Sequence, residues 1–419
     1  MNAVLDELKW RGLVYQSTDE AALAAHLDEG PVTGYIGFDP SAPSIHFGNL
    51  VQLMVWRRLQ EAGHKPILLV GGATGLIGDP RMASERNLNP QDVVEGWVER
   101  IRQQVSRFVS FEGSNAAEVV NNYDWTRDLS TLDFLRDVGK HFSVNRMLAR
   151  DVVATRLEAG ISYTEFSYIL LQSLDYRELF RTKGVTLQTG ASDQWGNISS
   201  GVELIRRSDG ARVHGLVTPL LTKADGTKFG KTESGTVWLD PTMTSPYAFH
   251  QFFLNAEDAK VVDYLKVFSD RDHDEIEQLD QLTRTEPFRR AAQKALADDI
   301  TDLVHSPEQR QAAVLAAQAL FGRGELAELP TDTLDDVMRE VGAAQLQGPE
   351  LPTVVDAMVL AGVVTSKSAA RRAVDEGGAY LNNQKVTDPE QRLQTQDLLA
   401  GRHALLRRGK KTVGAVSLV

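Results

Sequence analysis

Hydrophobic and polar positions in the first half of the chain alternate between two periods. Residues 32–38 and 66–72 are short β-rich apolar runs, and residues 48–62 between them repeat at helical spacing, so the three segments predict a βαβ unit of a parallel sheet. A second strand and helix are predicted at 185–189 and 194–207. The pattern is that of a Rossmann-like, doubly wound α/β sheet, whose ligands bind beyond the carboxyl ends of the strands. Residues 115–181 are helix-rich and read as an insertion, and from 245 to about 322 the pattern is all-helical, with an amphipathic run at 288–304.

Residues 342–352, which contain Gly348, Pro349 and Pro352, read as a linker. Helices are expected at 353–361 and 366–375, the second ended by Gly377 and Gly378, and short strands at 379–381 and 403–408. The expected organisation is a catalytic α/β domain over 1–222, a catalytic lysine loop and α-helical domain over 223–341, the linker, and a small α+β module over 353–419.

Composition narrows the function classes. The chain has no cysteine, which excludes disulfides and thiol catalysis and counts against a structural zinc site. No stretch approaches the ~20 apolar residues of a membrane helix. Residues 1–17 alternate charged and leucine-rich positions without the apolar centre of a signal peptide, so a cytoplasmic location is expected. The formal charge is −12, but residues 352–419 hold ten basic against six acidic side chains. That asymmetry points to a C-terminal module that meets a polyanion, with a merely solvated basic face as the plainer alternative.

Two segments carry candidate chemistry. In Asp39-Pro40-Ser41-Ala42-Pro43-Ser44-Ile45-His46-Phe47-Gly48-Asn49 a strand runs into a turn that delivers His46, Gly48 and Asn49 to the start of a helix. Free N–H groups and the positive end of the helix favour phosphate there, and His46 and Asn49 can donate to phosphate or ribose oxygens. Taken alone, His46 is as readily a helix cap. The second segment, Lys228-Phe229-Gly230-Lys231-Thr232, places two compact positive charges around a glycine, suited to a departing pyrophosphate. A Walker loop needs four residues between its glycines, whereas Gly226 and Gly230 enclose three.

A third feature is a polar stripe, Tyr168, Gln172 and Asp175, at helical spacing on a segment otherwise rich in leucine and isoleucine. It must face either solvent or a polar cavity.

The first two segments resemble the His-x-Gly-His and Lys-Met-Ser-Lys-Ser signatures of class I aminoacyl-tRNA synthetases. The resemblance extends over nearly the whole chain, through 35–39, 71–80, 121–125, 162–175 and 188–198, which look like the successive motifs of the tyrosyl branch. The tail is similar to an RNA-binding module shared with a ribosomal protein. The resemblance implies ATP-dependent activation of L-tyrosine and its transfer to tRNA(Tyr), with Mg2+ accompanying the nucleotide, no dedicated metal site and a homodimeric enzyme.

The same resemblance implies roles residue by residue. Tyr168, Gln172 and Asp79 would hold the ammonium group of tyrosine. Tyr35 and Asp175 would bond the phenolic hydroxyl, and Gln194 would orient the carboxylate. Asp39, His46, Gly48, Asn49, Asp193 and Lys231 would contact ATP, and Asn122 would be a further site residue. His46, Asn49, Lys228, Lys231 and Thr232 would be catalytic. Lys367, Arg371, Arg372, Arg407, Arg408, Lys410 and Lys411 would grip tRNA phosphates. The chain departs from the family pattern in two places: Asn49 stands where a second histidine is usual, and Ala83 where a lysine is frequent, with Arg81 or Arg86 as candidate replacements. The rival readings are a tryptophanyl-tRNA synthetase and a catalytically silent RNA-binding protein.

Overall fold

The computed structural model describes residues 2–80, 90–232, 235–347, 350–409 and 412–418, with residues 231 and 232 described by their backbone. It divides into two compact units, one of residues 1–240 and 257–287, the other of residues 241–256 and 288–419.

The first unit is built on a six-stranded sheet: β1 (Gln16–Ser17), β2 (Thr33–Phe38), β3 (Lys65–Val70), β4 (Glu118–Asn121), β5 (Leu187–Ala191) and β6 (His214–Thr218), in the order β1-β6-β5-β2-β3-β4. All neighbours are parallel except β1 against β6. The chain builds outward from β2 to β3 and β4, then returns to β5 on the other side of β2, and a crevice opens at the carboxyl ends where the direction reverses. Helices cover the buried strands. On β2 the absence of a side chain at Gly34 admits Trp56, since a Cβ there would lie 2.3 Å from the indole Cη2. The indole Nε1 of Trp56 then donates to Thr189 Oγ1 at 2.8 Å, fastening the Phe47–Glu61 helix to β5.

The Tyr163–Lys183 helix is 21 residues long. Ser162 accepts from the Glu165 N–H at its start, and Gly184 ends it with a φ of 66°. It is buried on more than one side: Ile169, Leu170 and Leu174 join an apolar cluster, while Tyr168 and Asp175 lie together on a different face. The region expected to be a helical insertion opens instead with β4. That strand is four residues long, half-buried and without period-2 alternation, and it is a strand because it pairs with β3.

In the second unit the Pro246–Leu254, Pro307–Leu320 and Thr331–Val341 helices share a core with the C-terminal sheet, where Tyr247, Leu334 and Met338 cluster with Leu405 and Ala415. That sheet comprises β9 (Ala344–Leu346), β10 (Ala379–Leu381), β11 (Gln384–Lys385), β12 (His403–Arg408) and β13 (Thr412–Leu418), in the order β11-β10-β12-β13-β9, whereas β7 (Lys231–Thr232) and β8 (Gly235–Thr236) belong to the first unit. The segment expected to be a linker is therefore corrected in part, because residues 344–346 lie parallel to β13. Three residues carry no readable period, and their partner stands some seventy positions away.

Candidate active site

The carboxyl end of β2 is followed by Asp39, and that of β3 by the segment 71–80, which contains the helical turn Thr74–Ile77. The two segments meet at van der Waals limit. A Cβ on Gly71 would lie 2.3 Å from Thr74 Oγ1 and 2.4 Å from Asp39 Oδ1, so glycine is required by protein packing at this point. Asp39 Oδ1 accepts from Thr74 Oγ1 at 2.7 Å, and its Oδ2 accepts from the hydroxyl of Tyr168 at 2.7 Å.

Asn122 follows β4 and is fully buried. Its Oδ1 accepts from the Ala73 N–H, while its Nδ2 donates to Thr74 Oγ1 at 2.9 Å and to Asp175 Oδ2 at 3.0 Å. The other oxygen of Asp175 accepts from Trp125 Nε1 at 2.9 Å. Burial pushes the Asp175 carboxyl up to about 7 against the opposing effect of these donors. Tyr35 is 1% exposed, its hydroxyl has no partner among the described residues, and burial followed by the nearby Asp175 charge holds its pKa well above the ordinary phenol value. Gln172 Oε1 is likewise enclosed and unpartnered among the described residues. Tyr168 is raised by burial and then by Asp39. A crevice with a buried carboxylate and two unsatisfied polar atoms is configured for a polar ligand, because leaving such groups unpaired costs about 1–3 kcal/mol each.

At the neighbouring end of β5, Gln194 Nε2 donates to Asp79 Oδ2 at 2.8 Å, and Asn197 Nδ2 donates to Asp79 Oδ1 at 3.2 Å. Burial raises the Asp79 carboxyl above its ordinary value, with Asp39 adding to the shift and the two amides and Arg150 opposing it.

His46 occupies the N-cap of the Phe47–Glu61 helix, where its N–H donates to Asn49 Oδ1 at 3.1 Å. The capping geometry is therefore present, and it leaves the amide NH2 of Asn49 turned away from the cap. Gly48 sits against the His46 ring: a Cβ there would lie 2.9 Å from His46 Cε1. The lysine segment comes alongside this turn. It forms a two-stranded hairpin, β7 (Lys231–Thr232) with β8 (Gly235–Thr236), followed by Val237, whose carbonyl accepts from the Phe47 N–H at 3.1 Å. Gly230, with φ 91°, packs on Phe47, and Phe229 stacks on Tyr264 at 3.9 Å between centroids. Lys228 is exposed, and its Nζ lies 3.6 Å from Asp193 Oδ2.

Hydrogen bonds thus join Asp39, Tyr168, Asn122 and Asp175 into one network through Thr74 and join Gln194 to Asp79, with Tyr35 near Asp175 and Gln172 on the same helix as Tyr168 and Asp175; His46, Gly48 and Asn49 share the start of the Phe47–Glu61 helix, and Lys228 stands beside Asp193. The sequence reading overlooked Thr74, Trp125, Asn197 and Arg150. Trp125 and Thr74 lie inside segments that were singled out as motifs, whereas no pattern in the sequence marks Arg150.

In the C-terminal sheet the expected phosphate-gripping residues differ among themselves. Lys367 pairs with Asp356 at 2.6 Å and Arg371 with Glu390 at 3.1 Å, both at exposed positions, and Arg372 and Arg408 are exposed. Arg407 departs from the expectation. It is 7% exposed, its guanidinium lies 4.1 Å over the Tyr380 ring, and it donates to the Gly409 carbonyl. Both faces of β12 are covered, with Ala404 and Leu406 in one core and Leu405 in another, and Arg407 shares the face of Leu405, which a count of basic residues does not register. Lys410 and Lys411, like Arg81, Ala83 and Arg86, lie outside the described residues.

Comparison with known proteins gives consistent results. The family model described as "tRNA synthetases class I (W and Y)" matches residues 27–322, and that of the "Tyrosine--tRNA ligase SYY-like C-terminal domain" matches residues 333–415. The tyrosine-tRNA ligase of Cutibacterium acnes is 67% identical over 417 residues, covering 100% of both chains. That of Kineococcus radiotolerans is 58% identical over 431 residues, covering 100% of this chain and 99% of the relative. Among solved structures, a C-terminally truncated mitochondrial tyrosyl-tRNA synthetase of Aspergillus nidulans superimposes with a TM-score of 0.69 at 30% identity, over 77% of this chain and 95% of that one.

Proposed function

The chain belongs to the class I tRNA synthetases of the tryptophan and tyrosine branch, and on that premise we propose how its crevice activates L-tyrosine with ATP and passes it to tRNA(Tyr). It is an aminoacyl-tRNA synthetase of the tyrosine type by likeness over its full length and by its C-terminal domain. The observation that carries the substrate reading is Asp175. A carboxylate held at full burial by Asn122 and Trp125, with the unpartnered hydroxyl of Tyr35 close enough to feel its charge, is an acceptor for a phenolic hydroxyl. An indole offers only one N–H and a different length, so this pairing favours tyrosine over tryptophan.

Tyrosine enters with its hydroxyl between Tyr35 and Asp175. Its ammonium group meets Asp79, Tyr168 and Gln172, and its carboxylate meets Gln194. ATP is the second substrate; Mg2+ accompanying it would offset part of the phosphate charge, and no dedicated protein cage is needed to hold it. The nucleotide lies along the His46 turn, where Gly48 permits close approach, His46 and Asn49 donate to phosphate, and Asp39 and Asp193 reach the adenosine side. In-line attack of the tyrosine carboxylate on the α-phosphorus gives tyrosyl-adenylate and pyrophosphate. The terminal ribose hydroxyl of tRNA then attacks the adenylate carbonyl and releases AMP. No side chain need act as nucleophile, because positioning and charge stabilisation supply the rate. Lys228 and Lys231 neutralise the departing pyrophosphate, and the Thr232 hydroxyl donates a hydrogen bond to it.

Exposed Lys367, Arg371, Arg372 and Arg408, with Lys410 and Lys411, meet tRNA phosphates, and Arg407 instead holds the sheet together. We assign a homodimeric state and a cytoplasmic location by likeness to the family. Among the described residues no helix is long and apolar enough to cross a membrane. The deciding assay is tyrosine-dependent ATP–pyrophosphate exchange followed by charging of tRNA(Tyr). Exchange driven by tryptophan, or none with either amino acid, would overturn the reading.

A further inference from the structure

Arg150 lies outside every motif of the sequence, yet it ends a continuous chain of hydrogen bonds that reaches the amino-acid end of the crevice. Its Nη2 donates to Asn197 Oδ1 at 2.7 Å. Asn197 Nδ2 donates both to Asp79 Oδ1 at 3.2 Å and to Gln194 Oε1 at 3.0 Å, and Gln194 Nε2 donates to Asp79 Oδ2 at 2.8 Å. The guanidinium packs closely on Gly196, where a Cβ would lie 3.1 Å from both Nε and Nη2.

The polarity of this chain is set from its far end. A primary amide can be turned over with little change of shape, exchanging its oxygen and nitrogen. An arginine has donors and no acceptor, so Asn197 must offer it Oδ1 and point Nδ2 the other way. Gln194 must then present Oε1 to Asn197 and Nε2 to Asp79. One N–H of Gln194 remains unused by this chain.

We propose that Arg150 is a positioning residue for tyrosine: by fixing the orientation of Asn197, and through it that of Gln194, it turns a Gln194 N–H toward the substrate carboxylate and leaves Asp79 to receive the ammonium group. This rests on the roles given above to Asp79 and Gln194. The positive charge of Arg150 also favours the ionised form of Asp79, whose surroundings are Asp39 on one side and the Tyr168 hydroxyl, Gln194, Asn197 and Arg150 on the others.

The test uses the full-length enzyme and measures binding of L-tyrosine beside 4-ethylphenol, a competitive probe that retains only the phenol end. Arg150→Met is expected to weaken tyrosine by about 10- to 100-fold, the range of one charge-assisted hydrogen bond, with the inhibition constant of 4-ethylphenol and the KM for ATP unchanged. Arg150→Lys, a cation with donors only, restores most of the affinity. In Arg150→Met the loss of tyrosine binding on acidification begins at a higher pH than in the parent. Asn197→Asp keeps the contact with Arg150 but removes the donors to Asp79 and Gln194, so it reproduces the tyrosine-specific loss even if the methionine variant folds poorly. Equal weakening of tyrosine and 4-ethylphenol in both variants, or tyrosine binding unchanged in both, would overturn the role of Arg150. A parent enzyme without tyrosine-dependent exchange would instead overturn the functional reading on which it stands.

Discussion

The Asp175 cluster and the lysine loop belong to the same compact unit, and they handle charge in opposite ways. Asp175 is fully enclosed and each of its oxygens accepts from a named donor, Asn122 on one and Trp125 on the other, and those donors are themselves anchored in the 71–80 turn or beside it. Lys228 is exposed with its Nζ beside Asp193, and its loop is held by packing of Gly230 on Phe47, the stack of Phe229 on Tyr264, and backbone bonds such as that from the Phe229 N–H to the Leu221 carbonyl. A rigid, desolvated acceptor suits recognition of a neutral hydroxyl, which must be distinguished by geometry. A screened, adjustable cation suits a charge that grows only as the phosphoanhydride bond breaks.

The largest effect that would test this contrast comes from the loop. Lys231→Ala should slow adenylate formation by about 3–4 kcal/mol of transition-state stabilisation, while tyrosine affinity stays within about twofold, as read by single-turnover kinetics beside equilibrium binding. Equal losses in both would erase the distinction.

The buried side is next, through pH. Asp175 carries a pKa raised from 3.8 to about 7, so the native state holds its proton more tightly than the unfolded chain. The stability this provides is complete below the unfolded value and is lost as pH rises toward about 7. Thermal unfolding of the parent without ligands should therefore weaken between about pH 4 and 7 relative to Asp175→Asn. A gap between the two proteins that is independent of pH would show that the carboxyl does not titrate in this window.

The same contrast recurs in the second unit, where it gives the smallest effect. Arg408→Ala should reduce by about one the slope of log affinity for tRNA against log salt, and Arg407→Met should leave the slope unchanged while lowering the thermal midpoint. Filter binding across a salt series separates them. Removal of the whole tail is a poorer probe, since it would strip Leu405 and Ala415 from the core that also contains Tyr247 and Met338.

The sheet was legible where local pattern and final environment agree. The apolar runs of β2 and β3 and the intervening helix announce themselves because their strands are covered on both faces. Elements that exist only through a distant partner were not legible: β4 lacks alternation, and β9 is three residues inside a segment rich in glycine and proline. The site divides on the same line. Tyr168, Gln172 and Asp175 stand out as polar positions on a greasy helix, and His46, Gly48 and Asn49 as a glycine-bearing helix start. Trp125 and Thr74 read as filler until their hydrogen bonds are seen, and Arg150 joins the network through Asn197, forty-seven positions away. The inward turn of Arg407 was hidden because charge counts carry no direction.

The most direct measurement of the central claim is the ratio of kcat/KM for tyrosine to that for phenylalanine in ATP–pyrophosphate exchange, compared between the parent and Asp175→Asn. Recognition of the phenolic hydroxyl by Asp175 predicts a strong preference in the parent that falls at least tenfold in the variant, almost wholly through tyrosine, with the KM for ATP unmoved. A ratio that stays the same in the variant would contradict it.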